Sequence, residues 1–267
     1  MGDRVLLSAS PKNIEACVAL AVEHGLGIEM MAFAYADLLD GDWRSVEEHY
    51  KVLLHPVPGM LTMHGPFMDM ASGSPDQQIN EVCKGRFRHA LRIAHDLGVQ
   101  IVVLHANFIA AIHTDVYREG WQRRNITFWE QIADYAAQLN VTVAVENMWE
   151  FDPDIIGDVL KTIDHPNLRA CIDIGHAHLY SEVPFPTWLE TLKPYLVHIH
   201  VNNNDGVMDY HRGLALGVLD YPRLLDQVRA LPNKPSITLE MDSVADMEAS
   251  LRFFHLAEQA QDHAASD

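Results

Sequence analysis

The sequence predicts an α/β fold, a single-domain (β/α)8 barrel, and three observations support this prediction. Eight short apolar runs rich in branched residues alternate with longer amphipathic stretches. The chain has 267 residues, and one such barrel typically needs about 250. Histidine or carboxylate side chains end six consecutive runs, and such barrels keep their chemistry at the carboxyl ends of the strands. An open doubly wound sheet is the alternative, but no G-x-G-x-x-G follows the first run.

The apolar runs and the stretches between them predict the order of the elements. Strands are predicted at Val5–Ala9, Leu26–Met31, Met60–His64, Gln100–His105, Val141–Glu146, Leu168–Asp173, Leu196–Val201 and Ser236–Glu240. Helices are predicted at Asn13–His24, Trp43–Leu53, Pro75–Leu97, Asp115–Leu139, Pro153–Ile163, Pro186–Leu192, Tyr221–Ala230 and Ser243–Gln261. Gly25 and Gly98 follow two of these helices, where glycine readily adopts the left-handed conformation that ends a helix. We expect the barrel to span residues 1–262 and the tail, residues 263–267, to be frayed.

The charge and the cysteines limit the partners and the compartment. Lys and Arg total 19 against 37 Asp and Glu, so the formal net charge is −18. This balance opposes a broad basic surface, and we expect no nucleic-acid partner. No apolar run approaches the length of about 18 residues that a membrane helix needs, and no signal-peptide pattern is present. The three separated cysteines, Cys17, Cys83 and Cys171, are typical of buried thiols in a reducing cytoplasm. The sequence does not determine the oligomeric state, and a homo-oligomer is compatible with it.

Histidine and carboxylate residues end the third to the eighth predicted strands. These residues are His64, His105, Glu146, Asp173, His200 and Glu240. All three residue types ligate divalent metals, and a carboxylate that ends an apolar strand is costly unless it is paired or metal-bound. His176 follows Asp173 by three residues, and Asp209 and His211 lie two apart in the loop after the seventh strand. The sequence therefore predicts a metal site at the mouth of the barrel.

The segments that carry these residues resemble motifs of the xylose-isomerase-like barrel superfamily, which includes endonuclease IV and the ketose 3-epimerases. In chain order they are HGPF, LHAN, VENMW, CIDIGHAH, HIHVNNNDG, MDYHRGLALG and TLEM. Resemblance to the epimerase-like members implies one divalent ion held by four residues. These are Glu146, Asp173, His200 and Glu240. It also implies that the two glutamates exchange a substrate proton, and that His176 and Arg212 contact substrate oxygens.

Resemblance to the endonuclease-like members implies a fuller set of ligands. Those proteins hold three zinc ions with nine ligands, and each of the nine positions carries a ligand-type residue in this chain. The nine are His64, His105, Glu146, Asp173, His176, His200, Asp209, His211 and Glu240. Histidine-rich positions suit zinc, whereas a carboxylate-rich site with four ligands suits manganese or magnesium. One to three ions, of zinc, manganese or magnesium, therefore fit the sequence.

Two segments depart from the superfamily pattern. The usual His-x-x-Asp after the seventh strand is His200-Val201-Asn202-Asn203 here, so an amide replaces a carboxylate that would orient the ligands. The loop after Glu146 contains Trp149, whose side chain fits stacking on a sugar ring, although packing within the loop explains it as well.

The leading hypothesis is a divalent-metal-dependent isomerase or epimerase of a small sugar, polyol or keto acid. Glu146 and Glu240 would transfer the proton through an enediolate. Basic residues are sparse near the strand ends, Arg212 being the clearest, which favours a non-phosphorylated, carbohydrate-like substrate. The alternative is a multi-zinc phosphoester hydrolase that resembles endonuclease IV, an abasic-site endonuclease. A non-catalytic barrel that binds metal or sugar is a third hypothesis.

Overall fold

Eight parallel strands close into one barrel in the computed structural model, which describes residues 2–254. The strands are β1 (Val5–Ala9), β2 (Gly27–Met30), β3 (Leu61–His64), β4 (Ile101–His105), β5 (Thr142–Glu146), β6 (Leu168–Asp173), β7 (Leu196–Val201) and β8 (Ser236–Leu239). Each strand pairs with its neighbours in sequence, and β8 pairs with β1. The predicted single-domain (β/α)8 barrel is confirmed, and all eight strands lie where the apolar runs placed them.

Helices surround the barrel. Within residues 2–254 they are α1 (Ile14–His24), α2 (Ala36–Asp40), α3 (Trp43–Leu53), α4 (Gln77–Asp96), α5 (Asp115–Gln138), α6 (Asp154–Ile163), α7 (Ile174–Tyr180), α8 (Phe185–Leu192), α9 (Tyr221–Arg229) and α10 (Val244–Ser250). Gly25 (φ 69°) and Gly98 (φ 70°) follow the ends of α1 and α4 in the left-handed conformation, as predicted. None of the helices within this range is long and apolar enough to cross a membrane.

The sequence did not predict α2 and α7, and the reason is their length. The α2 helix has 5 residues and α7 has 7, so neither is long enough to show a helical period of apolar residues. The α7 helix begins because the carboxylate of Asp173 accepts the backbone N–H of His176 at 2.5 Å. The last predicted helix is shorter than expected within the described residues, where α10 is followed by a 3₁₀ turn at Leu251–Phe254. The tail predicted to fray, residues 263–267, lies outside the described residues.

Inside the barrel, an apolar cluster on β4 to β6 lies below the polar ends of these strands. Ile101, Val103, Ala144 and Cys171 form a separate apolar cluster inside the barrel. Because side chains alternate along a strand, the residues two positions beyond Val103 and Ala144 face the same interior. Those residues are His105 and Glu146, which pair across β4 and β5 at the same level. The barrel thus brings the polar strand ends together above an apolar floor. Cys171 and the other two cysteines are buried and free, as predicted.

Candidate metal centre

The nine ligand-type residues gather at the mouth of the barrel in three groups, each with its ligand atoms within 4.8 Å of one another. The inner group is His64, His105 and Glu146, the central group is Glu146, Asp173, His200 and Glu240, and the outer group is His176, Asp209 and His211. Glu146 belongs to both the inner and the central group. Strands β3 to β7, the start of α7, the loop after β7 and the residue that follows β8 supply these side chains.

The central group is almost fully buried, and two of its carboxylate oxygens lack an aligned hydrogen-bond donor among the described residues. Glu146 Oε1 and Glu240 Oε2 lie 2.9 and 3.1 Å from the same atom, Nδ1 of His200. Glu146, Asp173 and His200 are inaccessible to solvent, and Glu240 is 6% exposed. Glu146 Oε2 and Glu240 Oε2 are buried and make no aligned hydrogen bond with any described residue. Buried anionic oxygens without donors are costly unless a cation neutralises them, so this donor set fits a divalent metal.

Three histidines of the inner and outer groups are held with one ring nitrogen directed at the candidate ion positions. In each, a backbone carbonyl lies at hydrogen-bond distance from Nδ1, which makes Nδ1 the donor and leaves the lone pair on Nε2. The contacts are His64 to Gly65 (2.9 Å), His176 to Asn147 (3.0 Å) and His211 to Glu240 (3.1 Å). Fixing the tautomer in this way is typical of histidines that ligate metals.

The free nitrogens of the three histidines face other ligand atoms. Nε2 of His64 lies 3.1 Å from Nε2 of His105, which in turn lies 3.0 Å from Glu146 Oε2. Nε2 of His176 and of His211 lie 3.1 and 3.2 Å from the two carboxylate oxygens of Asp209. The inner and outer groups are therefore preorganised as three-ligand sites.

A cavity of about 260 Å³ opens above the groups. Its lining includes His64, His105, His176, Asp209, His211 and Glu240, together with Tyr35, Phe67 and Tyr210. Among the described residues no Lys or Arg lines this cavity. Of the central group only Glu240 reaches the lining, because the other three lie beneath it.

A sequence profile of the xylose isomerase-like TIM barrel family matches residues 18–257, most of the chain. The chain belongs to this family.

Two curated relatives and one solved structure resemble this family member. MJ1311, an uncharacterized protein of Methanocaldococcus jannaschii, is 23% identical over 193 residues, which cover 70% of this chain and 66% of that protein. The D-psicose 3-epimerase of Ruminiclostridium cellulolyticum is 23% identical over 145 residues, 51% of this chain and 49% of the enzyme. Each match thus spans less than two thirds of the relative. The TTHB071 protein from Thermus thermophilus, soaked with ZnCl2, has a TM-score of 0.80 at 27% identity and covers 96% of this chain and 98% of that one.

The surroundings shift the pKa values of two carboxyl groups of the central group in opposite directions. Burial and the charges of Glu240 and Glu146 raise the pKa of Asp173 to about 7, although His176 opposes this shift. Burial also acts to raise the pKa of Glu240, but the imidazoles of His200 and His211 outweigh it and lower that pKa to about 2. Glu240 is therefore an ionised carboxylate that faces the cavity.

Glu29 also contacts the candidate site, although the sequence pattern did not predict this. It lies in the middle of β2 and is inaccessible to solvent. Its Oε1 atom lies 2.9 Å from Nε2 of His200, opposite the nitrogen that faces Glu146 and Glu240. A carboxylate behind a ligating imidazole orients the ring and raises its basicity. The signal in the sequence was a single charged residue inside the apolar run Leu26–Met31.

Asn203, which stands where the His-x-x-Asp pattern has its carboxylate, stabilises the loop after β7. The Asn203 side chain donates to the Leu214 carbonyl at 2.7 Å and accepts from the Leu219 backbone N–H at 3.0 Å, within the loop after β7. The preceding residue, Asn202, is the one that meets the site, because its amide donates to Asp173 Oδ2 at 2.7 Å. An amide thus orients the candidate ligand Asp173.

Two residues predicted to bind substrate stand outside the cavity lining. Arg212 lies with its guanidinium 4.2 Å from the centroid of the Tyr210 ring, and 3.9 Å from Asp205. Trp149 is 41% exposed on the loop after β5. The structure brings together the nine ligand-type residues but places these two at the rim, so their contact with substrate stays a prediction.

Proposed function

We propose that this family member is a divalent-metal-dependent isomerase or epimerase of a small, non-phosphorylated carbohydrate. The observation that carries the proposal is the central group, in which Glu146 and Glu240 approach one histidine nitrogen from different strands at 2.9 and 3.1 Å. Two carboxylates that share one centre supply both a base and an acid for moving a proton next to a carbonyl. The likeness to a D-psicose 3-epimerase supports the same class of reaction.

Glu146, Asp173, His200 and Glu240 would hold the ion, and when bound it would polarise the carbonyl oxygen of the substrate. Glu240 faces the cavity and would take the proton from the substrate carbon. Glu146 would start this step protonated and give its proton to the carbon, which leaves Glu146 ionised and Glu240 protonated. A proton would then pass between the two carboxylates, which both lie near Nδ1 of His200, to restore the starting state. His176 lines the same cavity, and its Nε2 lone pair is positioned to accept a hydrogen bond from a substrate hydroxyl.

The cavity lining supports the choice of substrate class. Histidine, serine and carboxylate side chains line it, and no Lys or Arg does so among the described residues. Recognition of a phosphate group usually relies on such cations or on a helix N-terminus. A neutral sugar or polyol therefore suits this cavity better than a sugar phosphate.

The proposal is tested by proton exchange. The protein is loaded with Zn²⁺, Mn²⁺ or Mg²⁺, its metal content is measured, and it is incubated in D2O with D-fructose, D-psicose and D-tagatose. We expect deuterium at the carbon next to the carbonyl and conversion to the epimer, dependent on metal. Complete absence of exchange for these ketoses, for keto acids and for disaccharides that contain a ketose unit would remove the isomerase proposal.

The inner and outer groups favour a second candidate, a multi-zinc phosphoester hydrolase. They add two three-ligand sites next to the central one, and a multi-metal site can clamp the attacking and leaving oxygens of a phosphoester. The double variant His64→Asn, His105→Asn separates the candidates. For an isomerase we expect the central ion to remain and activity to fall only in part. A loss of one ion together with loss of bis-p-nitrophenyl phosphate hydrolysis would establish the hydrolase instead.

A further inference from the structure

A second, larger cavity of about 1250 Å³ lies beside the metal cavity. The loop after β1, helix α1, the loop after β2 and helix α3 surround it. The two cavities share four lining residues, so they form one continuous cleft. The shared residues are Ser10, Asn13, Tyr35 and Asp242. The second cavity, about 1250 Å³, already exceeds the range of roughly 300–1,000 Å³ typical of small-molecule sites, so the cleft as a whole exceeds what one monosaccharide requires.

One buried hydroxyl of the second cavity has no partner. Tyr50 lines the cavity from α3 and is only 2% exposed. Its hydroxyl makes no hydrogen bond with any described residue. A buried hydroxyl without a partner costs free energy, which a ligand with its own hydroxyl groups would recover. Loss of this hydroxyl removes no hydrogen bond within the described fold.

The rest of the lining is polar but carries few cations. Ser45 and His49 add a hydroxyl and an imidazole from the same helix as Tyr50. Lys12 is the single Lys or Arg among the described lining residues, whereas three carboxylates, Glu15, Asp37 and Asp242, line the same cavity. Such a lining disfavours a phosphate or another anion, because the carboxylates outnumber the cation.

The junction of the two cavities carries an aromatic ring. Tyr35 is 49% exposed and lines both cavities. A tyrosine ring offers an apolar face with a polar tip, a combination that suits the apolar face and the hydroxyl edge of a sugar ring. A ligand that extends from the metal cavity into the second cavity passes this ring.

We propose that the second cavity is a subsite for a second sugar ring, so that the substrate is a glycosylated carbohydrate and not a free monosaccharide. This inference rests on the proposed function for the reaction at the metal cavity. The reacting ring would occupy the cavity above Glu240, and the neutral second ring would lie between α1 and α3, with a hydroxyl bonded to Tyr50.

The test compares D-fructose with isomaltulose and maltulose, which carry the same fructose unit linked to a glucose. We expect the metal-loaded protein to show a kcat/KM for at least one disaccharide that exceeds that for fructose by about tenfold, or about 1.4 kcal/mol. The variant Ser45→Trp fills the cavity and should abolish this preference. Tyr50→Phe should reduce it by about threefold, the effect of one hydrogen bond. Val52→Trp, an exposed position of the same helix outside the cavity, should leave both rates unchanged.

A binding measurement separates failure of the subsite from failure of the proposed reaction. Saturation-transfer NMR with isomaltulose on the metal-loaded protein reports binding whether or not turnover occurs. Binding that Ser45→Trp abolishes and Val52→Trp preserves supports the subsite even if no ketose reacts. No binding, or binding that both variants leave intact, overturns the subsite. Equal kcat/KM values for fructose and both disaccharides, in a protein that turns them over, overturn it as well.

Discussion

The barrel interior contains two polar layers that differ in how completely their acceptors are satisfied. In the lower layer, Glu29 Oε2 accepts from Thr62, Thr238 and His198 at 2.7, 2.8 and 2.8 Å. Its Oε1 makes no aligned hydrogen bond with any described residue but lies 2.9 Å from Nε2 of His200. In the upper layer, Glu146 Oε2 and Glu240 Oε2 have no aligned donor among the described residues. The two layers have similar residue types and similar burial, so composition does not explain the difference. Glu29 Oε2, which has three donors, indicates a structural network, whereas Glu240 Oε2, an acceptor without an aligned donor on a residue that lines the cavity, indicates a ligand site.

His200 connects the two layers. Its Nε2 lies 2.9 Å from Glu29 Oε1 below, and its Nδ1 faces the carboxylates of Glu146 and Glu240 above. The lower layer thus sets the orientation of one ligand of the upper layer. Substitutions in the upper layer should therefore affect turnover and metal affinity, and those in the lower layer should affect the free energy of unfolding. Substitutions near His200 should affect both kinds of quantity.

The largest expected effect belongs to the upper layer. Glu240→Gln preserves shape but removes a charge and a base, so we expect turnover to fall by about 10² to 10⁴. Circular dichroism should show an unchanged fold, since Glu240 has no aligned hydrogen bond at Oε2 to lose. Turnover within a factor of about two of the wild type would exclude Glu240 as the acid or base.

The next largest effect should be the loss of stability when metal is removed from the upper layer. A ligand that binds only the folded state, at about 100 times its Kd, stabilises it by about 2.7 kcal/mol. We expect metal to raise the free energy of unfolding by about this amount over the chelated protein, measured by urea denaturation. The variant Asp173→Asn should abolish the metal effect. An identical urea midpoint with metal and with chelator would contradict the assignment of the open acceptors to an ion.

Glu29→Gln tests the link between the layers. The amide cannot replace the carboxylate behind His200, and loss of such a partner typically lowers metal affinity by about 10- to 100-fold. Competition with a fluorescent chelator gives the affinity. The matched control is Glu47→Gln, which changes a buried glutamate on α3 that pairs with Lys51, away from both layers. Equal metal affinity in the two variants would show that Glu29 does not position His200.

Thr238→Val should have the smallest effect and should be confined to the lower layer. Thr238 Oγ1 donates to Glu29 and lies 2.9 Å from His198 Nε2, and a hydrogen bond to a charged group contributes about 1.5 kcal/mol. We expect the free energy of unfolding to fall by about that amount, while metal affinity changes less than about threefold. Thr142→Val, on the half-buried start of β5, serves as the control. A larger loss of metal affinity than of stability would mean that the layers are not separable.

The sequence predicted the parts of this molecule that depend on local pattern. The strands were found because each is a short run of branched residues, and Glu146, Asp173 and His200 because each lies at the carboxyl end of its run. Glu29 was missed because it sits in the middle of β2, where a charge is normally absent. Its role arises only when β7 and β8 close the barrel and bring His198, His200 and Thr238 to it.

The second cavity could not be predicted for a similar reason. It lies between α1 and α3 at the mouth of the barrel. The order of residues along the chain does not give the distance between two helices. Tyr50 looked like one more apolar position of an amphipathic helix, and only the fold shows its hydroxyl without a partner among the described residues. Likewise Arg212 matched a motif, but the loop after β7 directs its guanidinium to Tyr210.

Glu146 belongs to two ligand groups at once, and this sharing couples the ions they would hold. A carboxylate that bridges two neighbouring positions makes their occupancies interdependent, and thermodynamic reciprocity requires that each ion alter the affinity of the other by the same factor. A titration should then follow a curve that no sum of independent sites can fit. Preparations that differ in metal supply would hold different mixtures of partly filled molecules, each with its own activity.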